Sequence, residues 1–226
     1  MDNKKLLTIG MAYALVVLIW STTPLTIKWS GQGVHYLFGV TARMTIGAVL
    51  ATLLALWQYR ALPRDRKAIQ VYVTVGLAIY GAMLPVYWGA QYIPSGLISV
   101  IFGLTPILTA ALAAQLLQEQ RFGFNKILGA VLGVAGLAII FIRQINLGDH
   151  AAWGLGAVLI AVVLHSLSAV VVKKINARLP ALIVTTGGLI VSLPMLWLTY
   201  VAFAPVLPEV LPSRALWAII YLGVMG

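Results

Sequence analysis

The sequence predicts an all-α membrane protein, a polytopic helical bundle of inverted five-helix repeats, with ten helices expected and seven and a half present. Three observations predict it. Of 226 residues, 62% are hydrophobic and 9% charged, and the mean hydropathy is +1.00. A soluble domain carries about 25% charged residues, so a water-facing surface of this size could not be covered. The apolar residues fall in runs of roughly 20, the length of a spanning helix, whereas barrel strands would be about 10 residues long and alternate in polarity. Finally, one polar-centred segment recurs 145 positions later with its membrane direction reversed.

Seven runs read as complete spans: Leu6–Ile27, Tyr36–Trp57, Ile69–Trp88, Ser95–Leu117, Asn125–Ile142, Trp153–Val172 and Leu182–Phe203. An eighth begins near Ala215 and ends at Gly226. At 1.5 Å per residue it is too short to cross about 30 Å of hydrocarbon. The first run is kept as a mature helix rather than a signal peptide. Its only Ala-x-Ala pattern, Ala12-Tyr13-Ala14, falls inside the apolar stretch instead of after it.

Charge gives the orientation. The net charge of +10 comes from 15 Lys+Arg against 5 Asp+Glu. With the N-terminus inside, eleven basic residues lie on the inner face (Lys4, Lys5, Arg60, Arg64, Arg66, Lys67, Arg121, Lys126, Lys173, Lys174 and Arg178). Three, Lys28, Arg143 and Arg214, lie on the outer face. That asymmetry is the positive-inside pattern, so the basic excess is a membrane address and not a nucleic-acid surface. Trp29, Tyr36, Trp57, Tyr59, Trp153 and Trp217 fall near span ends, where amphipathic rings anchor.

The repeat pairs Val17–Lys28 with Val162–Lys173; Ser21 meets Ser166, and Lys28 meets Lys173. Five spans separate the segments. An odd number reverses direction, as in the inverted repeats of secondary transporters. The expected units are 1–145, a complete five-helix repeat, and 146–226, a second repeat cut within its third helix. Two full units would need roughly 290 residues by the same logic.

Several function classes are excluded. With no cysteine there is no thiol catalysis, disulfide or cysteine metal site. There is no HExxH, no phosphate-binding glycine loop and no pair of intramembrane carboxylates, so neither an enzyme nor a cofactor or metal is expected. The seventh span has no lysine to hold a retinal.

The polar residues inside the spans are the candidates for binding. Pro24, Pro85, Pro106 and Pro194 each remove a backbone donor and free a carbonyl. The hydroxyls of Ser21, Thr22, Thr23 and Thr105 beside two of them either satisfy those carbonyls or face a substrate. Arg43 is the one charge near a span interior, and no acid lies in any span to pair with it. It either binds an anionic group or bonds to carbonyls and loops. His165 replaces Trp20 in the repeat and is either a proton relay or a packing histidine. Tyr80, Tyr87, Trp88, Gln91 and Tyr92 either line a pocket, or the last three form the outer aromatic belt. Gly129 and Gly133, with Gly136, form a small-residue face for packing within the chain or for a homodimer.

These residues carry a resemblance. Leu18-Ile19-Trp20-Ser21-Thr22-Thr23-Pro24-Leu25-Thr26-Ile27-Lys28 resembles the first-span segment of the drug/metabolite transporter superfamily, EamA type. Arg43 matches the arginine usual in that family's second span. Ile93-Pro94-Ser95-Gly96-Leu97 and Leu104-Thr105-Pro106-Ile107-Leu108-Thr109-Ala110 resemble its fourth-span pattern. Glu119 falls where the family often has a Gly-Glu pair, with Gln118 in place of the glycine. The resemblance spans the chain and is more specific before Gly154 than after it.

The resemblance implies a ten-helix inner-membrane transporter that exports a small metabolite, such as an amino acid or related compound, by alternating access. Its substrate-binding residues would be Trp20, Ser21, Thr22, Arg43, Tyr87, Thr105 and His165. The expected partners are a small-molecule substrate, the lipid bilayer and a second copy of the chain. Rival readings are a non-transporting receptor or assembly subunit and a small-solute channel.

Overall fold

The computed structural model describes residues 3–118, 123, 128–129, 131–136, 139, 148–204 and 206–226, with side chains from residue 10 onward. Eight helices lie among the described residues: α1 (Asn3–Ser30), α2 (Tyr36–Tyr59), α3 (Arg66–Gly89), α4 (Ser95–Phe102), α5 (Thr105–Leu116), α6 (Ala151–Ile175), α7 (Ala181–Phe203) and α8 (Ser213–Met225). Six segments are long and apolar enough to cross a membrane, α4 and α5 together making one of them. Half of the expected fifth span, Asn125–Ile142, and Glu119 with it, lie outside the described residues.

Local chemistry sets the helix ends. Asp65 starts α3 by accepting hydrogen bonds from the backbone N–H groups of Lys67 and Ala68, which fills donors that a helix start leaves open. His35 caps α2 through its Nδ1, which accepts from the Leu37 N–H. Asn176 ends α6 in the left-handed conformation that asparagine tolerates.

The fourth span differs from expectation. It is broken at Gly103–Leu104 into α4 and α5 instead of running unbroken to Leu117. Pro106 stands at the start of α5 and has no N–H to give to the preceding turn.

The two halves of the chain interleave. α3 packs chiefly against α6 and α7, α2 against α7 and α8, and α1 against α8. α4 touches α1 and α6, and α5 lies on α6. Contacts between helices of the same half are sparse by comparison. The core lies between α2, α3, α6 and α7, with Val40, Val86, Tyr87, Val158, Val162 and Leu196 at its centre.

Close approach at α3–α6 depends on glycine. A Cβ on Gly89 would lie 2.8 Å from the Gly154 carbonyl oxygen, and one on Gly154 would lie 3.1 Å from that of Gly89. The glycines singled out in the sequence behave differently. Added Cβ atoms at Gly129, Gly133 and Gly136 would meet nothing within 4 Å among the described residues. They are not packing sites within the described part of the chain.

Trp57, Trp153 and Trp217 are all largely exposed, Trp57 the most at 84%. Trp29 carries the Arg214 guanidinium 5.6 Å from its ring centroid.

Candidate functional site

Arg43 is held inside the bundle. The buried face of α2 includes Val40, Met44 and Ala48, and that face takes Arg43 inward with it, leaving it 6% exposed. Its Nη1 donates to the hydroxyl of Tyr87 on α3 at 3.4 Å, and its guanidinium carbon is 5.9 Å from that ring's centroid. α8 presses on the same stretch. A Cβ on Gly223 would fall 2.7 Å from the Ile46 Cβ and 3.1 Å from the Arg43 carbonyl oxygen, so only glycine permits this approach. A Cβ on Gly226 would lie 3.3 Å from Arg43 Nη2, which puts the guanidinium against the last turn of α8.

Three threonines join helices by one repeated device. Thr199 on α7 donates to the Met195 carbonyl and shares a 2.8 Å hydrogen bond with the Tyr80 hydroxyl on α3. A hydroxyl has one hydrogen, so Tyr80 is the donor. Thr45 on α2 donates to the Thr41 carbonyl and accepts from Trp197 Nε1 at 3.2 Å. Thr22 on α1 donates back to the carbonyls of Leu18 and Ile19, and the Tyr221 hydroxyl on α8 donates to it at 2.7 Å. In each case the threonine's proton is spent on its own helix, and its lone pair receives an aromatic donor from another.

The Trp20–Thr23 segment is therefore mostly satisfied locally. Ser21 donates to the Leu18 carbonyl at 2.9 Å and Thr23 to that of Ile19 at 2.7 Å. Pro24 frees a different carbonyl, that of Trp20, four residues before it. These hydroxyls do not reach it. Trp20 itself is 71% exposed, and Ser21 is exposed beside it.

His165 on α6 is exposed, while its neighbour Ser166 is fully buried. The hydroxyls of Ser166, Thr41 and Thr105 are buried without a hydrogen-bond partner among the described residues. Thr105 lies just after the Gly103–Leu104 break. Of the predicted residues, the structure joins Arg43 to Tyr87, and links Thr22 to a residue outside that set, Tyr221. It shows no contact that brings Trp20, Ser21, Thr105 or His165 to them.

The aromatic group on α3 splits in two. Tyr80 and Tyr87 point into the bundle, onto Thr199 and Arg43. Trp88 and Tyr92 stack edge to face at 5.0 Å, Tyr92 meets His150 at 6.0 Å, and Gln91 Nε2 donates to the Trp88 carbonyl. Lys28 is also engaged, donating to the Ile93 carbonyl at 3.2 Å.

A cavity of about 450 Å³ opens between the α1–α2 connection, at Gly33–His35 and Phe38, and residues 206–210. No predicted site residue lines it. Among the described residues there is no group of three His, Cys, Asp or Glu side chains that could hold a metal.

Sequence reasoning missed Tyr221 and Thr199. A threonine four residues after a backbone carbonyl is common in helices, and only its partner across the interface distinguishes Thr199.

Apolar spans, packed through glycine contacts and threonine–aromatic hydrogen bonds around one buried cation, define a polytopic helical membrane protein. Comparison with known proteins gives its class: the chain belongs to the EamA-like transporter family, whose pattern matches residues 8–142, more than half of it. It is similar to Protein PagO of Salmonella typhimurium, 24% identical over 170 residues, which are 74% of this chain and 55% of PagO. The uncharacterized transporter YdfC of Bacillus subtilis is 26% identical over 99% of this chain and 72% of its own length. A transporter of Archaeoglobus fulgidus is 23% identical over 94% and 74% respectively. The chain thus spans about half of PagO and about three quarters of the other two. A crystal structure with 21% identity superposes with a TM-score of 0.73 over 92% of this chain and 72% of that one, and so shares its fold. The family is one of membrane transporters, not enzymes.

Proposed function

We propose that the chain forms the larger part of a secondary transporter of the bacterial inner membrane, exporting a small metabolite such as an amino acid or related compound by alternating access. The N-terminus lies in the cytoplasm. The protein consists of two inverted five-helix units, 1–145 and 146–226 onward, making ten helices in all.

One observation carries this reading beyond family membership. Exchange each helix for the one five spans away, so that α1 trades with α6, α2 with α7 and α3 with α8. The contact of α3 with α6 then becomes that of α8 with α1, and α3 with α7 becomes α8 with α2. The contact of α2 with α7 maps onto itself. All five packings exist, which is what a two-fold relation between the units requires, and such units rock about a central site.

The same exchange turns the contact of α4 and α5 with α6 into a contact of a ninth span with α1. That supports Trp20, Ser21 and Thr22 as residues beside a central passage rather than in contact with lipid. Thr105 at the span break and His165, the repeat partner of Trp20, belong to the same proposed set.

The test is efflux from proteoliposomes holding the full-length protein and loaded with a uniformly ¹³C-labelled mixture of amino and organic acids. Saturable loss of a subset of solutes is expected. Loss that stays linear with concentration would indicate a channel, and no loss above empty liposomes would overturn transport. Collapsing the pH gradient in the same vesicles separates proton-coupled flux from facilitated exchange.

A further inference from the structure

We infer that Arg43 and Tyr87 together anchor a carboxylate of the transported solute, so that the substrate carries a single carboxylate at this point and is not a phosphate ester. The inference rests on the transport reading above and names the chemistry of its site.

Arg43 has five N–H donors and no acceptor. Its only hydrogen bond among the described residues is the long one from Nη1 to Tyr87, at 3.4 Å, although the side chain is 6% exposed. Tyr87 is 2% exposed, and its hydroxyl makes no other hydrogen bond among the described residues. Because that oxygen accepts from Arg43, its own proton remains available. The guanidinium and the phenolic hydroxyl thus meet where α2, α3 and the last turn of α8 come together.

A cation held among apolar helices with no acid beside it among the described residues is costly, and a carboxylate matches a guanidinium through two parallel hydrogen bonds. The stoichiometry selects the anion. Arg43 is the single Lys or Arg away from the ends of the described spans. Lys28, at the end of α1, already donates to the Ile93 carbonyl. One positive charge balances one carboxylate, while a phosphate monoester carries close to two negative charges near neutral pH. No acidic side chain lies in the described spans to neutralise Arg43 in the empty state. The solute's own charge would do so.

The experiment uses the full-length protein in proteoliposomes. Efflux of one labelled solute that the wild type moves is measured against two competitors, the same compound unlabelled and its primary amide. Wild type should be inhibited by the acid and barely by the amide. In Arg43→Gln the preference for acid over amide should fall at least about 30-fold, the scale for removing one partner of a buried charge pair, and Arg43→Lys should restore part of it. A merely structural arginine would lower flux and leave that preference unchanged. Tyr87→Phe keeps the ring and removes the O–H. It should raise the KM for the acid severalfold with kcat retained, which keeps the test decisive if Arg43→Gln does not fold. Transport of the amide as well as the acid by wild type, or an unchanged preference in both variants, would overturn the inference while leaving transport intact. Absence of flux in wild type would instead overturn the transport reading.

Discussion

Gly89 of α3 and Gly154 of α6 meet backbone to backbone, each standing where a side chain would strike the other's carbonyl oxygen. The contact lies where the two halves of the chain interlock most extensively. Lipid tails are as apolar as leucine, so close backbone approach and hydrogen bonds hold such helices together. Replacing Gly89 by Ala should therefore destabilise the protein by about 1–3 kcal/mol through overpacking. Gly133→Ala should be neutral or gain up to about 1 kcal/mol from helix propensity, because open space surrounds Gly133 among the described residues. Thermal unfolding in detergent checks both, and equal destabilisation would refute the contrast.

The Tyr80–Thr199 pair predicts an asymmetry. Tyr80→Phe removes a donor and leaves Thr199 still bonded to the Met195 carbonyl. It should cost about 0.6 kcal/mol, the usual size of such a bond in a membrane protein. Thr199→Val removes the acceptor and strands the Tyr80 hydroxyl, which should cost about 1–3 kcal/mol. Unfolding titrations in mixed micelles would reveal the order, and the reverse order would mean that Tyr80 finds water.

Cysteine accessibility tests the passage along α1. The 226 residues contain no cysteine, so single replacements need no background correction within them. Trp20→Cys, Ser21→Cys and His165→Cys should react with a membrane-impermeant thiosulfonate at rates well above that of Leu53→Cys, which lies within α2 and faces outward at 61% exposure. Equal, slow labelling at all four positions would place α1 and α6 against lipid and remove Trp20, Ser21 and His165 from the site.

Orientation is tested on two connections. Gln32→Cys, between α1 and α2, should label in intact cells. Arg64→Cys, between α2 and α3, should label only after permeabilisation, since basic connections stay in the cytoplasm. The opposite result would invert the topology and assign the basic excess to the outer face.

The spans were legible because hydropathy alone decides which segments leave water. The break in the fourth span was less so. Pro106 announces a kink, but whether a proline bends a helix or divides it depends on what its neighbours offer the freed carbonyl. Arg43 could be singled out as the lone interior charge, yet nothing in the chain's order pairs position 43 with Tyr87 on α3. Gly129 and Gly133 have the spacing of a packing motif and touch nothing among the described residues. Gly89, Gly154 and Gly223 have no such spacing and make the contacts.

By itself the sequence determined a multi-pass helical membrane protein, the order of its spans and a set of polar residues to inspect. Those properties follow from transfer free energy, which each segment carries independently of the others. Tertiary structure decided which faces meet: α3 on α6 and α7, Arg43 on Tyr87, and three threonines as acceptors for Tyr80, Trp197 and Tyr221. Within a bilayer, hydrophobicity no longer distinguishes one helix neighbour from another. Shape at close range and the placement of a few hydrogen bonds do so, and both exist only once the helices are assembled.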